Sequence, residues 1–179
     1  MNNPIQILHE EHLVLLEAVE TTKQVQKIQD NKQYRWLIHD LILFFRNFTE
    51  IFHHSKEEQI LYPVIKNRAE KMSDRFLYEI CDNHEDFKAM IAEIENHFEN
   101  RDYRMLRKTM DTYLKELVEH IEKEEGEILQ ISAKLLLKNE IEKINEEFKM
   151  LDEKLGDDEK NKLTRIILNV NSQLSKIAV

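Results

Sequence analysis

The sequence predicts an all-α protein: an up-down four-helix bundle over residues 1–135, followed by two amphipathic helices over residues 136–179. Three observations predict it. Glycine and proline number only two each in 179 residues, while Glu, Lys and Leu are abundant; few breakers and many strong helix formers favour helix throughout. Apolar residues recur at alternating steps of three and four, the period of a helix facing a core. A histidine interrupts each of the first four stripes, and core stripes exclude polar groups unless something satisfies them.

Asn3-Pro4 reads as an N-cap followed by Pro at the first helical position. The first stripe is Ile5, Leu8, His12, Leu15 and Val19. The pattern breaks at Asp30-Asn31, and a second helix carries Ile38, Ile42, Phe45, Thr49, His53, Glu57 and Ile60. Tyr62-Pro63 is expected to end or kink it. Ser73 or Asp74 caps a third helix with Leu77, Ile80, His84, Phe87, Ile91, Ile94 and Phe98 inward. Asp102 caps a fourth, with Leu106, Met110, Tyr113, Leu117, His120, Glu124 and Ile128. Beyond residue 135, Ile141, Ile144, Phe148, Leu151 and Leu155 form a fifth stripe. Gly156 stops it, and Asp157 or Asp158 starts a sixth with Leu163, Ile167, Val170, Leu174 and Ile177. These last two helices carry no histidine. They are expected to pack on the outside of the bundle, or to form a homodimer contact.

The net charge is −9 with basic and acidic residues interspersed, so nucleic acid is not an expected partner. The single cysteine, Cys81, rules out a disulfide framework and points to the cytoplasm. The start, Met1-Asn2-Asn3-Pro4, has neither a basic nor a long apolar region, so no signal peptide is expected. Leu37 to Phe45 is too short and too polar to span a bilayer, and no membrane association is expected. With two glycines there is no Gly-rich phosphate loop, and no nucleophile triad is visible.

Two words carry the chemistry. His53-His54-Ser55-Lys56-Glu57-Glu58 and His120-Ile121-Glu122-Lys123-Glu124-Glu125 each contain His-x-x-x-Glu. Residues four apart share one helix face, so imidazole and carboxylate can grip one metal ion. Both words are separated by 67 positions, and the lone His12 and His84 precede them. A duplicated helical hairpin around a central site is the expectation. Taken singly, a histidine on an apolar stripe is ordinarily a hydrogen-bonded core residue. Four of them with two correctly spaced carboxylates form a ligand cluster. The candidate metal ligands are therefore His12, His53, Glu57, His84, His120 and Glu124. Six ligands do not saturate two octahedral ions, which leaves room for a solvent bridge and a small exogenous ligand. An iron pair suits this donor set, with Glu57 and Glu124 as bridges.

Neighbouring residues offer alternatives. His9 is the alternative to His12, though it lies off the stripe. His54/Glu58 is the alternative to His53/Glu57, on a face with Glu50 and Asn47 that reads as solvated. Glu58 and Glu125 are candidates to orient ligands from behind. His39 reads as a core or bundle-end residue and His97 as a surface one. Cys81 reads as a small buried residue, with a redox-active thiol as the alternative. Tyr62 and Tyr113 are candidates to offer a hydroxyl to a bound oxygen species, against the commoner role of satisfied core tyrosines. Gly126 is out of place inside a helix, and close approach of another backbone is one reason for it.

Residues 3–130 resemble the hemerythrin-like (HHE cation-binding) family of four-helix-bundle non-heme di-iron proteins. The resemblance is carried by residues 53–63, His-His-Ser-Lys-Glu-Glu-Gln-Ile-Leu-Tyr-Pro, and 120–125, His-Ile-Glu-Lys-Glu-Glu. Glu11-His12 and Asn83-His84-Glu85 support it. Oxygen carriers of that family use His-x-x-x-His in the third helix and His-x-x-x-x-Asp in the fourth; here residue 88 is Lys and residue 125 is Glu. The chain looks closer to a branch with two His-x-x-x-Glu words, which includes proteins repairing iron–sulfur centres after nitrosative or oxidative stress. The resemblance implies two iron ions in an oxo- or hydroxo-bridged centre and a ligand the size of O₂, NO or peroxide. Ligand binding and enzymatic turnover are both compatible with it. The alternative is a non-catalytic interaction protein with a structural metal site.

Overall fold

The computed structural model describes residues 3–68, 74–156 and 158–177, with side chains at all of these except 68, 74–82 and 177. Among them are six helices and no strand: α1 (Pro4–Val25), α2 (32–68), α3 (Asp74–Glu99), α4 (103–135), α5 (Lys138–Leu155) and α6 (Glu159–Ile177). Local chemistry sets their ends. The Asn3 side chain accepts from the Ile5 N–H at 3.1 Å, with Pro4 next. Asn31 accepts from Tyr34 N–H at 2.9 Å, and Asp102 from Met105 N–H at 3.1 Å. Each satisfies a donor the first helical turn leaves open. Gly156 ends α5 at φ 122°, backbone that favours glycine. The Asp158 carbonyl accepts from Lys162 N–H at 3.0 Å as α6 begins. Ser73, Asp157 and the side chains of Leu77, Ile80, Cys81 and Ile177 lie outside the described residues, so expectations about them end here.

Helices α1 to α4 make an up-down bundle, and α5 and α6 lie against α1 and α2. The stripes read from the sequence face inward. Leu15, Val19, Ile38, Phe45, Ile91, Ile94, Leu106, Met110 and Leu117 form one apolar cluster, joined by Leu163, Ile167 and Val170 of α6. Leu8, Leu61, Ile65, Ile128 and Leu129 form a second, joined by Ile144 and Phe148 of α5. Thus the apolar faces of α5 and α6 are covered by the bundle. A buried polar layer separates the two clusters along the helices: Glu11, His12, His53, His54, Glu57, His84, His120 and Glu124.

Two helices are not regular where they cross this layer. Phe45–His53, Glu57–Leu61 and Glu124–Ile128 form wide turns with hydrogen bonds reaching five residues back, such as Tyr62 N–H to the Glu57 carbonyl and Leu129 N–H to the Glu124 carbonyl. Such turns recur at functional sites. The sequence was expected to end or kink α2 at Tyr62-Pro63. The helix does not end there but runs on through Tyr62–Arg68. Pro63 follows a wide turn, where the hydrogen-bond ladder is already offset and a missing N–H breaks less. Gly126 also departs from expectation: a Cβ there would meet nothing within 4 Å, so no close backbone requires it. No helix among the described residues is long and apolar enough to cross a membrane.

Candidate metal centre

The polar layer resolves into two ligand groups. One is His12, His53, Glu57 and Glu124; the other is His54, Glu57, His84 and His120. Within each, one donor atom per residue lies within 4.8 Å of the others, and all seven side chains are buried. The structure brings together all six candidates named from the sequence and adds His54. That corrects the solvated reading of the His54 face. His54 and Glu50 are both buried, and the His54 ring stacks on His84 at 3.7 Å. The wide turns of α2 are the cause. A regular helix rotates about 100° per residue, so neighbours diverge; a wider turn rotates less, and His53 and His54 both face inward.

The glutamates straddle the groups. Glu57 Oε1 lies 3.5 Å from His53 Nε2 and 3.9 Å from His12 Nε2, while its Oε2 lies 3.7 Å from His84 Nε2. Glu124 Oε2 is 3.2 Å from His12 Nε2, and its Oε1 is 3.2 Å from His120 Nε2 and 3.8 Å from His84 Nε2. The Tyr62 hydroxyl donates to Glu124 Oε1. Tyr113 sits instead in an aromatic layer, 5.3 Å from Phe45 and 5.6 Å from Phe87.

Four histidines turn one nitrogen to this centre and the other to a carboxylate behind. His12 Nδ1–H donates to Glu125 at 2.7 Å, His53 to Glu11 at 3.1 Å, His54 to Glu50 at 3.2 Å and His84 to Glu58 at 2.7 Å. Such a bond fixes tautomer and ring direction and raises ligand basicity, as in metal-bound histidines. His9 is 42% exposed and braces Glu125 at 3.0 Å rather than reaching the centre. His39 is half exposed, its ring 5.5 Å from Phe98 at the bundle's end. His97 is only 16% exposed and holds Glu93, so it is more covered than the sequence suggested. Lys88, at the position where the oxygen carriers have a second histidine, faces outward to Glu85 at 2.6 Å.

The donors fit a metal. Nε2 of His12, His53 and His54, both Glu57 oxygens and Glu124 Oε2 are buried with no hydrogen-bond partner. Leaving such atoms unpaired is costly, and cations answer all of them together. Imidazole with carboxylate suits iron, manganese or zinc. The electrostatics agree. Burial, then the Glu124 and Glu11 carboxylates, hold Glu57 well above the ordinary carboxylate range. Burial opposes ionisation of Glu124 too, but His120, His12 and His84 outweigh it and hold Glu124 well below that range. Burial lowers His53 to about 4 and His54 well below its usual value, so both are neutral at pH 7. Burial also disfavours charge on His12, yet Glu124 and Glu125 lift it to about 9.

Sequence reasoning held His54 only as an alternative to His53, read Glu50 as solvated and gave Glu11 no role at the site. A partial signal was present: Phe44, Phe48, Phe52 and Ile60 recur at multiples of four, too wide for a regular helix, and the structure buries pairs at 44/45, 48/49, 52/53, 56/57 and 60/61 on that period.

Residues 3–131 match the hemerythrin HHE cation-binding domain. No curated protein and no solved structure gives a significant match. The matched span ends before α5, so α5 and α6 stand outside it. Since it runs from the start of α1 to within the last turn or so of α4, and takes in every member of the buried polar layer, this chain belongs to the hemerythrin HHE cation-binding family.

Proposed function

We propose that the chain is a non-heme di-iron protein that binds or reacts with a ligand the size of dioxygen, nitric oxide or peroxide. The observation that carries the reading is the pair of buried four-residue groups sharing Glu57. His12, His53, Glu57 and Glu124 would hold one iron; His54, Glu57, His84 and His120 would hold the other. Glu57 and Glu124, each with its two oxygens turned toward different groups, would bridge them. When bound, the iron pair supplies the electrons and open coordination positions for a small ligand.

The protein's part is positioning and exclusion. The Nδ1–carboxylate bonds hold the four rings. Tyr62 donates its hydroxyl proton to Glu124 and so holds that carboxylate in place at the centre. Phe87 shields the second group, with its ring 5.2 Å from His120 and 5.9 Å from His54. A surface cavity of about 220 Å³, lined by Asn83, Asp86, Phe87, His120 and Lys123 among others, borders that group and suits entry of something small. A cytoplasmic setting belongs to this reading on the strength of the single cysteine.

The test is metal content per chain after anaerobic addition of ferrous ion, followed by oxidation in air and absorption spectra of the oxidised protein before and after reduction. Two irons with charge-transfer bands that bleach on reduction are expected. A folded, helical protein that retains no iron overturns the proposal. Turnover assays with peroxide and nitric oxide then distinguish an enzyme from a reversible binder.

A further inference from the structure

The two helices outside the matched domain end on its polar layer. Glu11, fully buried beside His12, accepts from His53 Nδ1–H through Oε2 at 3.1 Å. Its other oxygen accepts from two ammonium groups, Lys56 Nζ and Lys160 Nζ, each at 2.6 Å. Lys160 stands in the first turn of α6. Lys56, wholly buried, also pairs with Asp152 of α5 at 2.8 Å. Its ammonium lies 5.8 Å from the ring centres of Phe52 and, again in α5, Phe148.

We propose that α5 and α6 complete the metal centre from outside the bundle: Lys160, with the Lys56–Asp152 pair, clamps Glu11, and Glu11 sets the ring of His53 toward its metal. This rests on the di-iron reading. Glu11, Lys56 and Lys160 are positioning residues in it, not ligands. Apolar packing alone would hold α5 and α6, since Ile144, Phe148, Leu163, Ile167 and Val170 are already buried. Burying Lys56 and Glu11 adds a desolvation penalty that an apolar pair would avoid. What the ions give in return is direction. Two cations on Oε1 leave Oε2 aimed at His53, and an anchored carboxylate behind a ligating imidazole raises its basicity and fixes its plane. The clamp acts on one group only. Among the described residues, His54 and His84 are backed instead by Glu50 and Glu58.

The experiment uses the full chain loaded anaerobically with two equivalents of ferrous ion, and follows iron release to a ferrous chelator. The variants are Lys160→Met, Lys160→Arg, Asp152→Asn and Lys162→Met. Lys160 is 37% exposed, so its replacement should fold; Asp152→Asn tests the same clamp from α5 if it does not. In Lys160→Met, one of the two irons should leave about 10–100-fold faster than in the parent while the other keeps its rate. Lys160→Arg should restore the slow phase, and Lys162→Met, whose partner is Glu159 on the surface, should match the parent. A merely structural role would lower the melting temperature of the metal-free variant and speed both irons alike. Parent-like release from both Lys160→Met and Asp152→Asn, or equal acceleration of both irons, overturns the proposal while leaving the di-iron reading intact. A parent protein that takes up no iron overturns the di-iron reading first.

Discussion

The two metal-ligand groups look like copies of one another, and they differ where it matters. Each hairpin gives a lone histidine and a His-x-x-x-Glu word. His12 and His53 fall in one group, His84 and His120 in the other, with Glu57 and Glu124 between. The backing carboxylates cross over. Glu58 of the first word holds His84, and Glu125 of the second holds His12. Even the wide turns correspond, Glu57–Leu61 to Glu124–Ile128, at the 67-residue offset of the words themselves. The copies part in residue at two places, where His54 has Ile121 as its counterpart and Glu11 has Asn83, and in surroundings at a third, where Lys56 is buried but its counterpart Lys123 is exposed. So the first group alone has a buried charged clamp, and the second alone has a histidine from the other hairpin. The second also lies beside the surface cavity. Duplicated ligands thus sit in unlike surroundings: one side backed by a buried cluster of ion pairs, the other bordered by a surface cavity.

Removing what the groups share should have the largest effect. Glu57→Ala is expected to abolish binding of both irons, since Glu57 stands in both groups. Metal analysis and the visible spectrum check it, and a variant with two irons and an unaltered spectrum would remove Glu57 from the ligand set. His54→Ala comes next. It should release the second iron and spare the first, with an affinity loss at least as large as the 10–100-fold of an outer partner. Loss of neither iron would return His54 to the role of a buried core histidine.

The pH dependence should be common to both groups. Burial works against charge on His12 and His84, but their carboxylate partners prevail and raise both. His12, lifted to about 9, carries its proton at pH 7 and must lose it to bind metal, and His84 is shifted in the same direction. Ferrous affinity should therefore rise with pH until about 9, where His12 is already losing its proton. Calorimetry in buffers of different ionisation heat reads the protons released. Uptake without proton release at pH 7 contradicts this.

The smallest effect belongs to Gly126. It lies inside the wide turn after Glu124, has open space where a Cβ would go, and does not share the positive φ of Gly156. Gly126→Ala should stabilise the fold by about 1 kcal/mol, or roughly 2–4 °C in melting temperature for a chain of this size. Unchanged iron binding in that variant would show that the wide turn near the first group does not depend on the glycine.

The sequence by itself determined the helices, their inward stripes and the six residues of the paired words and lone histidines. Helix period is a local property: 3.6 residues per turn puts Leu8, His12 and Leu15 on one face wherever the helix goes. It also located most helix starts, because Asn3, Asn31 and Asp102 satisfy open N–H groups within their own turn. Only the tertiary structure decided that His54 joins the second group, since the wide turns of α2 set aside the regular period from which that face had been judged solvated. Only it decided which histidine falls in which group, and that Glu58 and Glu125 each serve the opposite hairpin. It alone brought Lys160 to Glu11, 149 positions away along the chain. Those contacts join segments with no periodic relation to one another, and they exist because burying the apolar faces of α5 and α6 against α1 and α2 carries their charged ends onto the polar layer.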